Sequence, residues 1–333
     1  MCTKKIKRMK ETLFIFLMFI AVVTVRSQSV PTAEENIPYL VTFGSNSDKS
    51  WGDDDFKQVF YFKILESYTS PFYLRIYDPG CSGEIDEPKG DYNSVFKFSI
   101  YGGEDSIGEG EKAIESRKKD PEYDYKKGDL LASKIFTHKE DYDEKWYSFG
   151  PFNPSDGKLS ERYQGYIIKL VCEGLKGDDG NLYKYYMSTS PDKNIPLEGG
   201  NAFTFEYSFR MHAQAFQKSH LYPYLDKDVE SIHQSNFDWD NDGEIRLSSR
   251  VTLKKKLEVS GDNTWAVSDY TIHEKEKGAT LDIQLIKSAE KNINNNNVVF
   301  NIVNQYGESM PFYTIPLGGK PVYQTEAKVE YAD

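Results

Sequence analysis

The sequence predicts an all-β protein: two antiparallel β-sandwich domains of jelly-roll or immunoglobulin-like kind, arranged in tandem behind a signal peptide. Three observations predict this. First, apolar residues recur at every second position in several stretches, as in Phe72, Leu74 and Ile76, then Phe96, Phe98 and Ile100. The same alternation returns in Tyr166, Ile168 and Leu170, in Tyr183, Tyr185 and Met187, and in Phe203, Phe205, Tyr207 and Phe209. A period of two places one side-chain set on each face of a pleated strand, so each stretch reads as a half-buried strand. Second, clusters of Gly, Pro, Asn and Asp separate these stretches where strands stop. Third, no helical period competes with the alternation, and strands spaced by turn clusters imply a sandwich or jelly roll.

Taken in order, residues 1–10 carry Lys4, Lys5, Lys7, Arg8 and Lys10, and residues 12–25 form an apolar run of about fourteen. That is short for a membrane span and has the layout of a secretory signal peptide, with cleavage expected after Ser27. Cys2 precedes the apolar run and is not placed as a lipoprotein signal requires. Cleavage removes six of the 41 basic and one of the 52 acidic residues, leaving 35 against 51, a net charge near −16. So acidic a chain repels nucleic acid and anionic lipid surfaces, which argues against a nucleic-acid partner and against stable membrane insertion once the signal is gone. Two cysteines then remain, Cys81 in an acidic loop and Cys172 at a strand end, and in an oxidising compartment they either pair or stay as small buried residues.

A mature chain of 306 residues exceeds the usual single β domain and suggests two. The first is placed at 36–212. It has strands at 39–43 and 59–65, a central hairpin at 72–103, a charged and glycine-rich excursion at 104–127, and strands at 130–136 and 146–149. Residues 166–171 and 183–187 follow, and 203–210 reads as one long strand with one apolar face. The stretch 212–223 lacks alternation and is taken as the junction. The second domain, 220–319, offers seven short strands, and 320–333 reads as a loose tail.

The sharpest chemical signal is Asp238-Trp239-Asp240-Asn241-Asp242-Gly243. Carboxylates at every second position of a tight loop can converge on one hard cation, with glycine permitting the turn. These six residues resemble the opening of an EF-hand-like calcium loop or of the DxDxDG loops inserted between strands in extracellular repeat families. The resemblance implies calcium held by Asp238, Asp240 and Asp242. An EF-hand proper is excluded, because the ninth and twelfth positions are Arg246 and Ser249 and the flanks read as strands. Two weaker acidic loops accompany it, Asp78 with Glu84, Asp86 and Asp91, and Asp178 with Asp179 and Asn181. Around the first, FYLRIYDPG and FKFSIYGG are similar to hairpins of the pre-peptidase C-terminal type of secreted β-sandwich, and that similarity implies calcium binding and docking onto polymers.

Catalytic patterns are missing. The sequence holds no G-x-S-x-G elbow, H-E-x-x-H pair, phosphate-cradling glycine loop or C-x-x-C pair, and its five histidines lack ligand spacing. Paired carboxylates for glycoside hydrolysis stay open, since so many acidic residues always place some pair at a suitable distance. Tyrosine is abundant, at 24 residues. Tyr73, Tyr77 and Tyr101 fall on the face opposite the apolar one and form a candidate platform for a sugar ring or a protein partner. The expectation is therefore an exported, non-catalytic protein of the secreted, periplasmic or cell-surface space. It binds a glycan or an envelope protein, with calcium ordering its loops. A secreted glycosidase-like hydrolase and a structural envelope subunit are the alternatives.

Overall fold

The computed structural model describes residues 27–51, 56–107, 125–291, 293 and 295–323. Nearly all of the expected signal peptide, most of the expected excursion and the end of the expected tail lie outside them. The described residues form strands and short 3-10 turns. In chain order the strands are β1 Tyr39–Phe43, β2 Lys57–Ile64, β3 Phe72–Tyr77, β4 Val95–Gly102, β5 Asp129–Phe136, β6 Trp146–Phe152 and β7 Lys158–Ser160. They continue with β8 Gly165–Lys176, β9 Gly180–Ser188, β10 Asn201–Thr204, β11 Glu206–Arg210, β12 Lys218–Leu225 and β13 Ser231–Phe237. The last are β14 Gly243–Ser248, β15 Lys255–Leu257, β16 Trp265–Thr271, β17 Ala279–Thr280, β18 Asp282–Lys287, β19 Asn297–Asn304 and β20 Phe312–Tyr313. No helix among the described residues is long and apolar enough to cross a membrane.

The strands build two antiparallel sheets. The first has eight strands in the order β16-β13-β19-β11-β1-β9-β3-β6. The second has twelve, running β15-β14-β18-β12-β20-β10-β2-β8-β4-β5 with β17 beside β12 and β7 beside β8. Aromatic rings meet across the gap between them: Phe60 of β2 lies 5.1 Å from Tyr185 of β9, Phe98 of β4 lies 5.1 Å from Tyr183 of β9, and Tyr207 of β11 lies 5.8 Å from Phe312 of β20. One apolar cluster runs from Val30 to Phe312 between the sheets. Sealing each such side chain from water contributes roughly 1.5–3 kcal/mol, so this layer is the main source of stability.

The all-β sandwich expectation is met, and the pairing corrects several local ones. Phe72–Tyr77 and Val95–Gly102 are not the arms of one hairpin: β3 pairs with β6 and β9 in the first sheet, β4 with β5 and β8 in the second. The acidic loop 78–94 carries the chain from one sheet to the other. The 177–179 turn does the same between β8 and β9. The two crossings are tied together, because Asp179 accepts backbone N–H groups from Lys89, Asn93 and Ser94 at 2.9–3.0 Å. Burial works against ionising Asp179, but those donors prevail and hold its carboxyl below the usual range.

The stretch 203–210 also divides. β10 lies in the second sheet and β11 in the first, with the chain changing sheets at Phe205. Thr204 eases the bend by donating to Val59 O and sitting within reach of Glu206 N. Phe203 and Phe205 thereby leave the central layer and join Tyr61, Ile167 and Tyr313 in a separate apolar cluster. Residues 218–223, expected in the junction, belong to β12, which pairs with β18 and β20. Both sheets run across the expected division at 212–220.

Candidate functional site

Two places gather polar and aromatic groups. The first lies on the outer face of the eight-stranded sheet. Alternation along β3 turns Tyr73, Arg75 and Tyr77 away from the core residues Phe72, Leu74 and Ile76. Neighbouring β6 brings Trp146 opposite Tyr77, and β9 brings Tyr186 opposite Arg75. The Tyr77 and Trp146 rings lie 5.3 Å apart, Trp146 and Tyr186 6.4 Å, and the Arg75 guanidinium sits 5.0 Å over Trp146. Arg75 is held in place because it donates from Nε to Ser148 Oγ and from Nη1 to Asn194 Oδ1.

Beside this array opens a cleft of about 350 Å³, walled by Trp146, Tyr186, Tyr39, Lys184 and Asn194 and by the incoming segment at residues 31–37. Lys184 Nζ stands 4.3 Å over the Tyr39 ring. Glu35 also lines the cleft, yet it is nearly sealed from water. Its carboxylate accepts from Tyr207 Oη and Thr314 Oγ1, and burial pushes it up to about 7 against the pull of those two donors. The wall therefore mixes aromatic rings, a cation, an amide and one buried carboxyl.

Of the three expected tyrosines, Tyr77 joins this array and Tyr73 shares its face against Gly150. Tyr101 does not. It belongs to β4 in the opposing sheet, is buried, and carries Lys169 Nζ 5.2 Å over its ring. The three-tyrosine platform is thus split because its two strands lie in different sheets. Trp146 and Tyr186 went unnoticed in the sequence, where only their alternation was visible. Their proximity to Tyr77 depends on strand register.

The second place is the loop between β13 and β14. Asp238 and Asp240 lie in a left-handed backbone turn with φ of 59° and 57°. Their carboxylates come within 4.8 Å of each other and of Asp262, which arrives from the β15–β16 loop. Burial, together with the charges of Asp240 and Asp262, pushes Asp238 up to about 6 despite a hydrogen bond from Asn263 N. A polar cavity of about 210 Å³ lies here, walled by Asp238, Asp240, Glu87 and Asn295, Asn296 and Asn297. Asp242 is elsewhere. It turns inward to a fully buried ion pair with Lys287, because Asp242 N closes the turn onto Trp239 O at 2.9 Å.

Two carboxyls of the acidic loop 78–94 serve its structure. Asp78 and Asp86 are buried, at 0% and 6% exposure, and accept backbone N–H groups from Glu144 (to Asp78) and from Ser82 and Leu182 (to Asp86). Burial, with Asp143 and Glu144 nearby, pushes Asp78 up to about 7. These two carboxyls do not reach the surface, whereas Glu84 and Asp91 of the same loop are exposed. Cys81 and Cys172 are both free and buried, with Cys81 Sγ against Gly180 O and Cys172 beside the Thr42 and Tyr183 hydroxyls. No disulfide joins them.

No family model matches the chain. No curated protein matches it either. Among solved structures, a Parabacteroides distasonis protein expected to be secreted aligns at 11% identity and a TM-score of 0.21, over 86% of this chain and 96% of that one. The N-terminal CBM22-1–CBM22-2 tandem domain of Paenibacillus barcinonensis Xyn10C aligns at 10% identity and a TM-score of 0.18, over 77% of each chain. What the fold and sites define is an all-β, two-sheet protein with an aromatic cleft on one sheet face.

Proposed function

We propose that this is an exported, non-catalytic binding protein of the cell envelope or its surroundings, and that it takes a glycan in the cleft beside Trp146. One observation carries this reading. Trp146 and Tyr186 line a cleft that also offers Lys184 and Asn194, with Arg75 fixed over the indole. Sugars carry apolar C–H faces rimmed by hydroxyls. Such a ligand matches aromatic faces ringed by fixed donors and acceptors, and a volume near 350 Å³ has room for one or two sugar units. Among the described residues Glu35 is the one carboxyl on the wall, and both its oxygens are engaged, so they place no acid–base pair for glycoside hydrolysis in the cleft.

The test is a glycan array followed by calorimetry on the best ligand. Trp146→Ala is expected to weaken binding at least about tenfold, the loss of one stacked aromatic contact, while Tyr101→Phe leaves it unchanged. Absence of any ligand, or equal binding by Trp146→Ala, would overturn the proposal and favour a protein partner.

A further inference from the structure

The carboxylate cluster at the β13–β14 loop is separate from the aromatic cleft, and it has a feature beyond its acidity. Asn296 is 2% exposed and lines the same cavity as Asp238 and Asp240. Its amide nitrogen donates to Trp239 O at 3.1 Å and to Asp242 Oδ2 at 3.3 Å. Those two acceptors settle which end of the amide is nitrogen. Its Oδ1 is buried with no hydrogen-bond partner. An unanswered buried carbonyl oxygen is costly, roughly 1–3 kcal/mol, unless something supplies positive charge to it. The nearby cations are otherwise engaged: Lys287 with Asp242 and Ile293 O, Lys291 with Asp240 O, and Arg210 with Glu87.

We propose that Asp238, Asp240, Asp262 and the side-chain oxygen of Asn296 form a binding site for a calcium-sized divalent cation. The ligand set differs from the one its sequence spacing suggests, since Asp242 is replaced by Asp262 from another loop and joined by an amide oxygen from a third. All four donors are hard oxygens, without nitrogen or sulfur, which selects calcium or magnesium over zinc and copper. Three carboxylates from two neighbouring loops and an amide oxygen from a third segment, with a cavity large enough for completing waters, suit the six to eight flexible ligands calcium takes. Magnesium, which demands a rigid octahedron and holds its water, fits such a cross-loop set less well. The bound ion would relieve the repulsion among the three carboxylates and staple the β13–β14 and β15–β16 loops to the chain entering β19.

Calorimetric titration of calcium chloride into the mature chain tests this. One site with a dissociation constant of about 1 mM or tighter is expected, in the range of extracellular calcium modules. Asp262 is exposed, so Asp262→Asn should fold normally while weakening calcium at least about tenfold. Asp240→Asn should do the same, and Asp269→Asn on the surface of β16 should bind as the parent does. No binding up to about 10 mM calcium, well above the weakest such modules, overturns the proposal. So does parental affinity in Asp262→Asn, which would remove that residue from the site, or magnesium binding as tight as calcium.

Discussion

Lys287 Nζ donates to Asp242 Oδ2 with both side chains closed off from solvent. The same ammonium donates to Ile293 O at 2.6 Å, so one lysine fastens the β14 entrance to the chain ahead of β19. Removing one member of such a pair strands the other charge in the interior. Lys287→Met is expected to lower stability by about 3–5 kcal/mol, whereas Lys287→Met combined with Asp242→Leu should recover most of that loss. Urea unfolding of the two variants measures the difference, and equal losses would show that the pair is not coupled.

Glu35 makes stability depend on pH in a defined direction. Its folded carboxyl titrates at about 7 and its ordinary value is 4.5, so between these the folded chain holds a proton that the unfolded chain releases. The contribution is full below about pH 4.5, falls as pH rises, and is gone above about 7. Asp78, raised from 3.8 to about 7, acts in the same sense. Glu35→Gln keeps the shape and an acceptor for Tyr207. It should raise stability at pH 8 by about 2–3 kcal/mol relative to the parent, and leave it little changed at pH 4. Thermal melts at the two pH values read this out directly.

The two thiols should be silent in the native protein. Burial pushes Cys172 up to about 12, and burial with Asp86 and Asp179 nearby raises Cys81 further, so neither forms thiolate near neutrality. An Ellman titration without reductant is expected to find no reactive thiol in the folded chain and two after unfolding in urea. A count of zero after unfolding would show a disulfide.

Gly177 sits at φ +84°, where a Cβ would run into Ser94 Oγ and Asn93 Oδ1. The same residue ties the 177–179 turn to the loop after β1, since Asn46 N donates to Gly177 O and Asn46 Oδ1 accepts from Gly177 N. Gly177→Ala should lower stability by about 1–3 kcal/mol through left-handed strain alone, with steric displacement added. Differential scanning calorimetry measures it.

Strand positions were legible because alternation is local: residues 39–43 and 130–136 lie in strands where the pattern places them. Partners were not, because alternation is the same whichever sheet a strand joins. Phe203 and Tyr207 share a period yet stand in different sheets, and β12 lies between β18 and β20 although residues 218–223 looked irregular. The site follows the same rule. Asp238 and Asp240 lie together, as their spacing places them. Asp242 was misplaced by it, since a pattern of six residues carries no sign of Lys287 lying 45 residues on. Asp262 and Asn296 come from other loops, and Trp146 and Tyr186 from strands that only register brings to Tyr77.

β20, two residues long, pairs with β10 on one side and β12 on the other, and Thr314 just beyond it hydrogen-bonds Thr32, 282 residues away. This late segment is the keystone of the larger sheet. Until it arrives, strands from the early and middle chain face an open slot, and the cleft wall at residues 31–37 lacks its anchor. A chain emerging from its N-terminus must therefore stay unclosed until nearly all of it is available.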